Sequence, residues 1–86
     1  MKELVFELLE RMIAADTTNP PGNEAQAARY IGERLRQEGF QVNYQRVAEG
    51  RENVIASVGD SSAKEIILTG HLDVVPAGEG WKKPPF

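Results

Sequence analysis

The sequence has no cysteine and a single histidine, His71, among its 86 residues. The absence of cysteine excludes disulfide bonds, a thiol nucleophile and cysteine-ligated zinc. It also contains no apolar run near the roughly 20 residues that a membrane-spanning helix needs. The N-terminal stretch carries charges at Lys2, Glu3 and Glu7, so it does not have the apolar region of a signal peptide. We therefore expect a cytoplasmic protein with no membrane partner.

A basic surface is also missing. The net charge is −3 and the isoelectric point is near 5.1, and lysines and arginines are scattered among acidic residues. This charge pattern gives no footprint for nucleic acid. A chain of this length buries only roughly 60 to 65% of its unfolded surface. The sequence therefore predicts one domain, or a piece of one, with a marginal core.

Two helices are predicted in the first half of the chain. Apolar residues recur at helical spacing from residue 2 to about residue 15, and this stripe is expected to face a core. The segment Asp16–Gly22 ends the helix because proline cannot continue it. A second helix is predicted from Glu24 to Glu38, with Asn23 and Gln26 forming a capping box and Gly39 as the C-terminal cap.

Three strands are predicted in the second half. Phe40, Val42 and Tyr44 alternate with polar residues, which is typical of a half-buried strand. Asn53–Val58 is the second candidate. Ile66–Leu68 is a short, mostly β-branched apolar run that predicts a buried third strand. Two helices followed by three strands indicate an α/β or α+β layer and not a helix bundle, and we expect the α/β class.

His71 and Asp73 follow this third strand. Side chains two residues apart point to the same face of an extended segment, so the two groups should project together. Ligands in open α/β sheets bind beyond the carboxyl ends of strands. The pair suits a metal-binding imidazole held by a carboxylate, or the base and orienting acid of a nucleophilic triad. An ordinary surface histidine is the third interpretation.

Two longer sequence segments favour the interpretation of His71 as a metal ligand. Thr69–Phe86 (TGHLDVVPAGEGWKKPPF) resembles the metal-dependent amidohydrolases and exopeptidases that include acetylornithine deacetylase, succinyl-diaminopimelate desuccinylase, aminoacylase and carboxypeptidase G. In that family a strand ends in (S/T)-G-H-x-D-x-V-P, and a loop with a W-x-x-x-P-F pattern follows. Thr17–Glu24 (TTNPPGNE) resembles the loop between the first two helices of the family.

The resemblance implies that residues 1–86 are the N-terminal part of a longer, zinc-exopeptidase-like catalytic domain. It implies hydrolysis of amide bonds in N-acyl amino acids or small peptides by a homodimeric enzyme. His71 would be a metal ligand, and Asp73 the catalytic acid that holds it. Two divalent ions, zinc or else cobalt or manganese, would be bound, with most ligands missing from this chain. On its own the chain is expected to be inactive.

Several other predictions concern residues outside this pair. The Asn19–Gly22 loop is assigned no chemistry, since stopping and starting helices explains it. Trp81–Phe86 is expected to anchor a loop or shape the wall of the site. A Ser/His/Asp hydrolase is disfavoured because no G-x-S-x-G surrounds Ser57, Ser61 or Ser62. The alternative from another functional class is a non-catalytic truncated module that associates through its exposed sheet edge.

Overall fold

The computed structural model describes all 86 residues and contains two helices and one two-stranded sheet. Helix α1 spans Lys2–Ala14 and helix α2 spans Ala25–Gln37. Strands β1 (Gln41–Ala48) and β2 (Arg51–Ser57) form an antiparallel hairpin. The chain is therefore of the α/β class. Neither helix has the length and apolar character that crossing a membrane requires.

The β-hairpin follows the alternation that the sequence predicts. Val42 and Tyr44 are half-buried, whereas the polar residues between them are exposed. In the register of the sheet, Val42 lies opposite Ala56 and Tyr44 opposite Val54. Gly50 turns the chain with a φ of 70°, in the left-handed region where glycine is favoured. The first two strand predictions are confirmed.

Helix α2 packs on this hairpin through small residues. Ala27, Ala28 and Gly32 are its buried positions, and the Tyr44 ring of β1 lies so close to Gly32 that a Cβ there would come within 2.8 Å of Tyr44 Cζ. Small side chains allow the helix to approach the sheet closely. The helix ends at Gln37 with Glu38 as its C-cap, and the predicted cap glycine, Gly39, follows with a left-handed φ of 93°.

The beginning of helix α2 differs from the prediction. Glu24, and not Asn23, is the N-cap, and no side chain caps the helix. The predicted capping box between Asn23 and Gln26 is wrong, because the backbone N–H of Ala25 instead donates to the carbonyl oxygen of Gly50 in the hairpin turn. A contact with the neighbouring element thus replaces the local cap.

The apolar stripe of helix α1 is not in a core. The helix has no buried residue, and Val5, Leu9 and Ile13 of the stripe each expose about half of their surface. The helix touches only α2 among the regular elements. The prediction that this stripe faces a core is wrong for these 86 residues, because nothing in the described chain covers its outer half.

The predicted third strand does not form. Ile66, Ile67 and Leu68 are 88, 83 and 92% exposed and have no sheet partner. A strand is stabilised by ladder hydrogen bonds and by a covered face, and here the apolar run has neither. Residues 58–86 contain no helix or strand, and their one sheet-like contact is a parallel bridge between Thr18 and Val74. The structure therefore has two strands where the sequence predicts three.

Candidate functional site

The segment that carries His71 and Asp73 is held by the loop between the two helices. The backbone N–H of Val74 donates to the Thr17 carbonyl at 3.1 Å, and that of Asn19 donates to the Val74 carbonyl at 2.8 Å. The Thr17 hydroxyl, which is buried, donates to the Leu72 carbonyl at 2.6 Å. These three bonds fix the backbone on both sides of Asp73, although the segment itself is irregular.

His71 and Asp73 lie side by side. Nδ1 of His71 is 3.2 Å from Oδ1 of Asp73 and 2.8 Å from the Asp73 carbonyl oxygen. The His71 side chain is 83% exposed, so its ring projects from the surface. If Nδ1 carries the proton, both the carboxylate and the carbonyl oxygen of Asp73 can accept from it. Nε2 then keeps its lone pair free for a ligand. The predicted pairing is present, but on an irregular segment and not at the end of a strand.

The second oxygen of Asp73 has different partners. The Asn19 side-chain amide donates to Oδ2 at 2.9 Å, and the Arg51 guanidinium lies 4.0 Å from the same oxygen. The hydrogen bond from Asn19, reinforced by the neighbouring His71, holds the pKa of Asp73 below its usual value. The carboxylate is therefore kept ionised, with one oxygen toward the imidazole and the other toward the loop.

Arg51 is itself held by Glu24. Its guanidinium donates to both carboxylate oxygens, with Nη2 2.7 Å from Oε1 and Nε 3.0 Å from Oε2. Glu24 is buried, and the hydrogen bonds from Arg51 lower its pKa although burial acts in the opposite direction. Gly22 passes close by with a φ of 79°, and a Cβ there would lie 2.8 Å from Oε1 of Glu24. Glycine is needed at this position for both reasons.

A shallow, solvent-open cavity of about 380 Å³ lies beside the His71–Asp73 pair and is lined by Asn19, His71, Asp73, Val74 and Val75. The cavity has one imidazole and one carboxylate on its wall. Nowhere in the chain do three or more histidine or acidic side chains come together in a group that could hold a metal ion. A catalytic zinc site takes three protein ligands. The chain therefore fits one ligand position and its supporting carboxylate, but not a complete metal site.

Sequence reasoning missed three residues of this network. Asn19, Glu24 and Arg51 are not among the predicted site residues. Stopping and starting helices does not explain the whole Asn19–Gly22 loop, since the Asn19 side chain also donates a hydrogen bond to Asp73, 54 positions away. The string TTNPPGNE was the available signal, because it contains both Asn19 and Glu24. Arg51 had no signal, since an arginine in a hairpin is ordinarily a solvated charge.

The other candidates lie outside the cavity wall. Trp81 is 60% exposed, and its indole N–H donates to the Ala77 carbonyl at 2.8 Å, so it closes a local turn. The Ser62 hydroxyl donates to Asp60, two residues before it in the same turn, at 2.8 Å. Neither residue lines the cavity beside His71.

Comparison with known proteins gives several relatives. The chain is 42% identical over 84 positions to succinyl-diaminopimelate desuccinylase of Xanthomonas euvesicatoria, covering 95% of this chain and 21% of the relative. It is 35% identical over 91 positions to N-formyl-4-amino-5-aminomethyl-2-methylpyrimidine deformylase of Halalkalibacterium halodurans. This match covers 99% of this chain and 21% of the relative. A protein of Aspergillus clavatus named probable carboxypeptidase is 39% identical over 54 positions. This match covers 63% of this chain and 13% of the relative.

These relatives are hydrolases. The resemblance seen in the sequence is thus supported at a coarse level, and the chain spans about a fifth of the length of the curated relatives that it matches most fully. No family model and no solved structure matches the chain. Because the similarity to hydrolases extends over nearly all 86 residues, the alternative of a separate non-catalytic module is not favoured.

Proposed function

We propose that this chain is the part of a metal-dependent hydrolase that carries the first metal ligand. Residues 1–86 would form the first part of its catalytic domain, with His71 binding a divalent ion and Asp73 holding that histidine. The observation that carries the proposal is the contact of Nδ1 of His71 with Asp73, on a ring that is 83% exposed. An imidazole that is fixed through one nitrogen and open at the other is the usual form of a metal-binding histidine.

The two residues have separate tasks. Asp73 accepts a hydrogen bond from Nδ1–H of His71, which favours the tautomer with a free Nε2 and raises the basicity of that nitrogen. His71 presents Nε2 to the open cavity. A bound divalent ion would supply Lewis-acid polarisation of the scissile amide carbonyl. Zinc suits an imidazole ligand, and cobalt or manganese are alternatives. The further ligands, including those of a second ion, would come from outside these residues.

The substrate class is proposed from the relatives. A desuccinylase, a deformylase and a carboxypeptidase are named for removing an acyl group or a residue from a larger molecule. We propose that the substrate is an N-acyl amino acid or a small peptide, and that the hydrolase acts as a homodimer. The shallow cavity beside His71 leaves space for such a small molecule.

A chimera tests the proposal. The 84-position stretch of the Xanthomonas desuccinylase that matches this chain is replaced by this chain, and hydrolysis of succinyl-diaminopimelate and bound metal are both measured. We expect an active chimera, no activity with His71→Ala, and a loss of about 10- to 100-fold with Asp73→Asn, the effect typical of a residue behind a metal ligand.

Asn43→Ala is the matched control, since Asn43 is exposed on β1 away from the cavity. It should leave both activity and metal content unchanged. An active chimera that keeps its metal and its activity when His71 is replaced by alanine would overturn the proposal.

A further inference from the structure

The Asp73 carboxylate can accept a hydrogen bond from Nδ1–H of His71 only if one of its oxygens faces the imidazole ring. The terminal torsion of aspartate is broad and roughly two-fold, so its orientation is set by hydrogen-bond partners. Oδ1 faces Nδ1 of His71 at 3.2 Å, and Oδ2 faces the loop between the helices. Whatever binds Oδ2 therefore decides where Oδ1 points.

Two donors are near Oδ2, and they are not equivalent. The Asn19 amide is 2.9 Å away, a direct hydrogen bond. The Arg51 guanidinium is 4.0 Å away, beyond hydrogen-bond distance, and its Nε and Nη2 donate to Glu24. Arg51 therefore places positive charge near the carboxylate, whereas Asn19 donates a hydrogen bond to it.

The side chain of Asn19 is not needed to hold the loop itself. The pairing of this loop with Val74 uses the backbone N–H of Asn19 and the carbonyl of Thr17. The amide group is thus an addition to a connection that the main chain already makes. A substitution at Asn19 can therefore remove the contact with Asp73 and leave the backbone pairing in place.

We propose that Asn19 is a positioning residue, which donates a hydrogen bond to Oδ2 of Asp73 so that Oδ1 can accept a hydrogen bond from Nδ1–H of His71 and Nε2 stays free for metal. The catalytic meaning of this role rests on the proposed function. The effect of Asn19 on the His71 tautomer does not depend on the proposed function, since the tautomer can be measured on the chain without metal.

The experiment uses the ring nitrogens of His71. The chain has one histidine, so a long-range proton–nitrogen correlation spectrum of the labelled chain shows a single ring. At about pH 9, above the ordinary histidine range, the spectrum gives the ratio of the Nδ1–H to the Nε2–H tautomer. We expect Nδ1–H to dominate, whereas a free imidazole favours Nε2–H.

Asn19→Leu keeps nearly the same shape and removes the donor. We expect the tautomer ratio to fall about fivefold, toward that of Asp73→Ala, because a charged acceptor is lost while the neutral Asp73 carbonyl remains. Asn43→Leu, on the exposed face of β1, is the control and should leave the ratio unchanged. The Val74 amide signal reports whether the backbone pairing persists.

An unchanged ratio in Asn19→Leu with a native Val74 signal would overturn the proposal, as would an unchanged ratio in Asp73→Ala. If Asn19→Leu loses the hairpin signals, Asn19→Ala is measured in its place against the same expectation. A shifted tautomer ratio, together with an active chimera that keeps its metal and activity in His71→Ala, would support the positioning role and refute the proposed function. An unshifted ratio, together with a chimera that loses both in His71→Ala, would refute the positioning role and support the proposed function.

Discussion

At the scale of single residues, the site is a chain of partners that runs inward from the surface. His71 is exposed, Asp73 and Arg51 are about one-third exposed, and the Glu24 side chain is 9% exposed. Glu24 holds Arg51 by hydrogen bonds, Arg51 places a positive charge 4.0 Å from Asp73, and Asp73 contacts His71. Glu24 is therefore the anchor of the network, and its charge is the one that most needs its partner.

The anchor can be tested through stability. Glu24→Gln removes the charge and part of the paired hydrogen bonding with Arg51, and we expect the free energy of unfolding to fall by about 1 to 2 kcal/mol, since Arg51 is partly exposed. Urea unfolding followed by circular dichroism measures it. Glu33→Gln, which breaks an exposed pair with Arg36, should change it by no more than about 0.5 kcal/mol.

The same variant gives a pH dependence with a defined sign. The folded-state pKa of Glu24 is lowered from 4.5, so its contribution is fully present above about pH 4.5. It is lost as the pH falls through the lowered folded-state value. We expect the stability difference between the wild type and Glu24→Gln to shrink below pH 4.5. A difference that stays constant from pH 7 down to pH 3 would contradict the assignment.

His71 and Asp73 could be selected from the sequence because they are neighbours within one short motif. The motif that contains Asn19 gives no indication of its partner Asp73, and Arg51 has no sequence signal at all. Each reaches the site through contacts between distant segments, such as the 27 positions between Arg51 and Glu24. Local spacing predicts which groups can meet, but it does not show which distant group will hold them.

At the scale of elements, the packing of helix α2 on the hairpin depends on one glycine. Gly32 is buried under the Tyr44 ring, and this ring is covered by the Arg29 guanidinium at 4.0 Å from its centroid. A helix interior ordinarily favours alanine over glycine by about 1 kcal/mol. Here the close approach of the ring opposes that preference.

Gly32→Ala should destabilise the fold by up to about 2 kcal/mol, because the overpacking cost of about 1 to 3 kcal/mol exceeds the gain in helix propensity. Urea unfolding measures it. In a Tyr44→Leu background the ring is absent, and the same substitution should become neutral or stabilising. Destabilisation of equal size in both backgrounds would show that the ring is not the cause.

Helices α1 and α2 and the two hairpin strands were predictable because their periodicities extend over many residues. The third strand and the capping box were not correct. Ile66–Leu68 has strand composition but no covered face, and the N-terminus of α2 is met by the hairpin turn through Ala25 and Gly50. In both places the structure that forms depends on whether another segment of the chain packs against or hydrogen-bonds to the residues concerned.

At the scale of the whole molecule, the 86 residues offer one candidate metal ligand with a supporting carboxylate, His71 and Asp73. No three histidine or acidic side chains converge, and a single imidazole is a weak zinc site. We expect the chain alone to bind Zn²⁺ weakly and to hydrolyse no N-acyl amino acid. Titration with Zn²⁺, followed through the His71 ring signals, measures this. Tight stoichiometric binding that is lost in His71→Ala would contradict the expectation.

The sequence by itself determined the class of the fold, the two helices, the hairpin and the pairing of His71 with Asp73, because these depend on periodicity and on contacts within a few residues. The tertiary structure alone decided that Asn19 holds Asp73, that Glu24 holds Arg51, and that Ile66–Leu68 stays uncovered. These outcomes depend on which distant segments meet. A hydrogen bond needs a second group and a buried face needs a covering surface. For these residues both are supplied by segments that are distant in sequence and meet only in the folded chain.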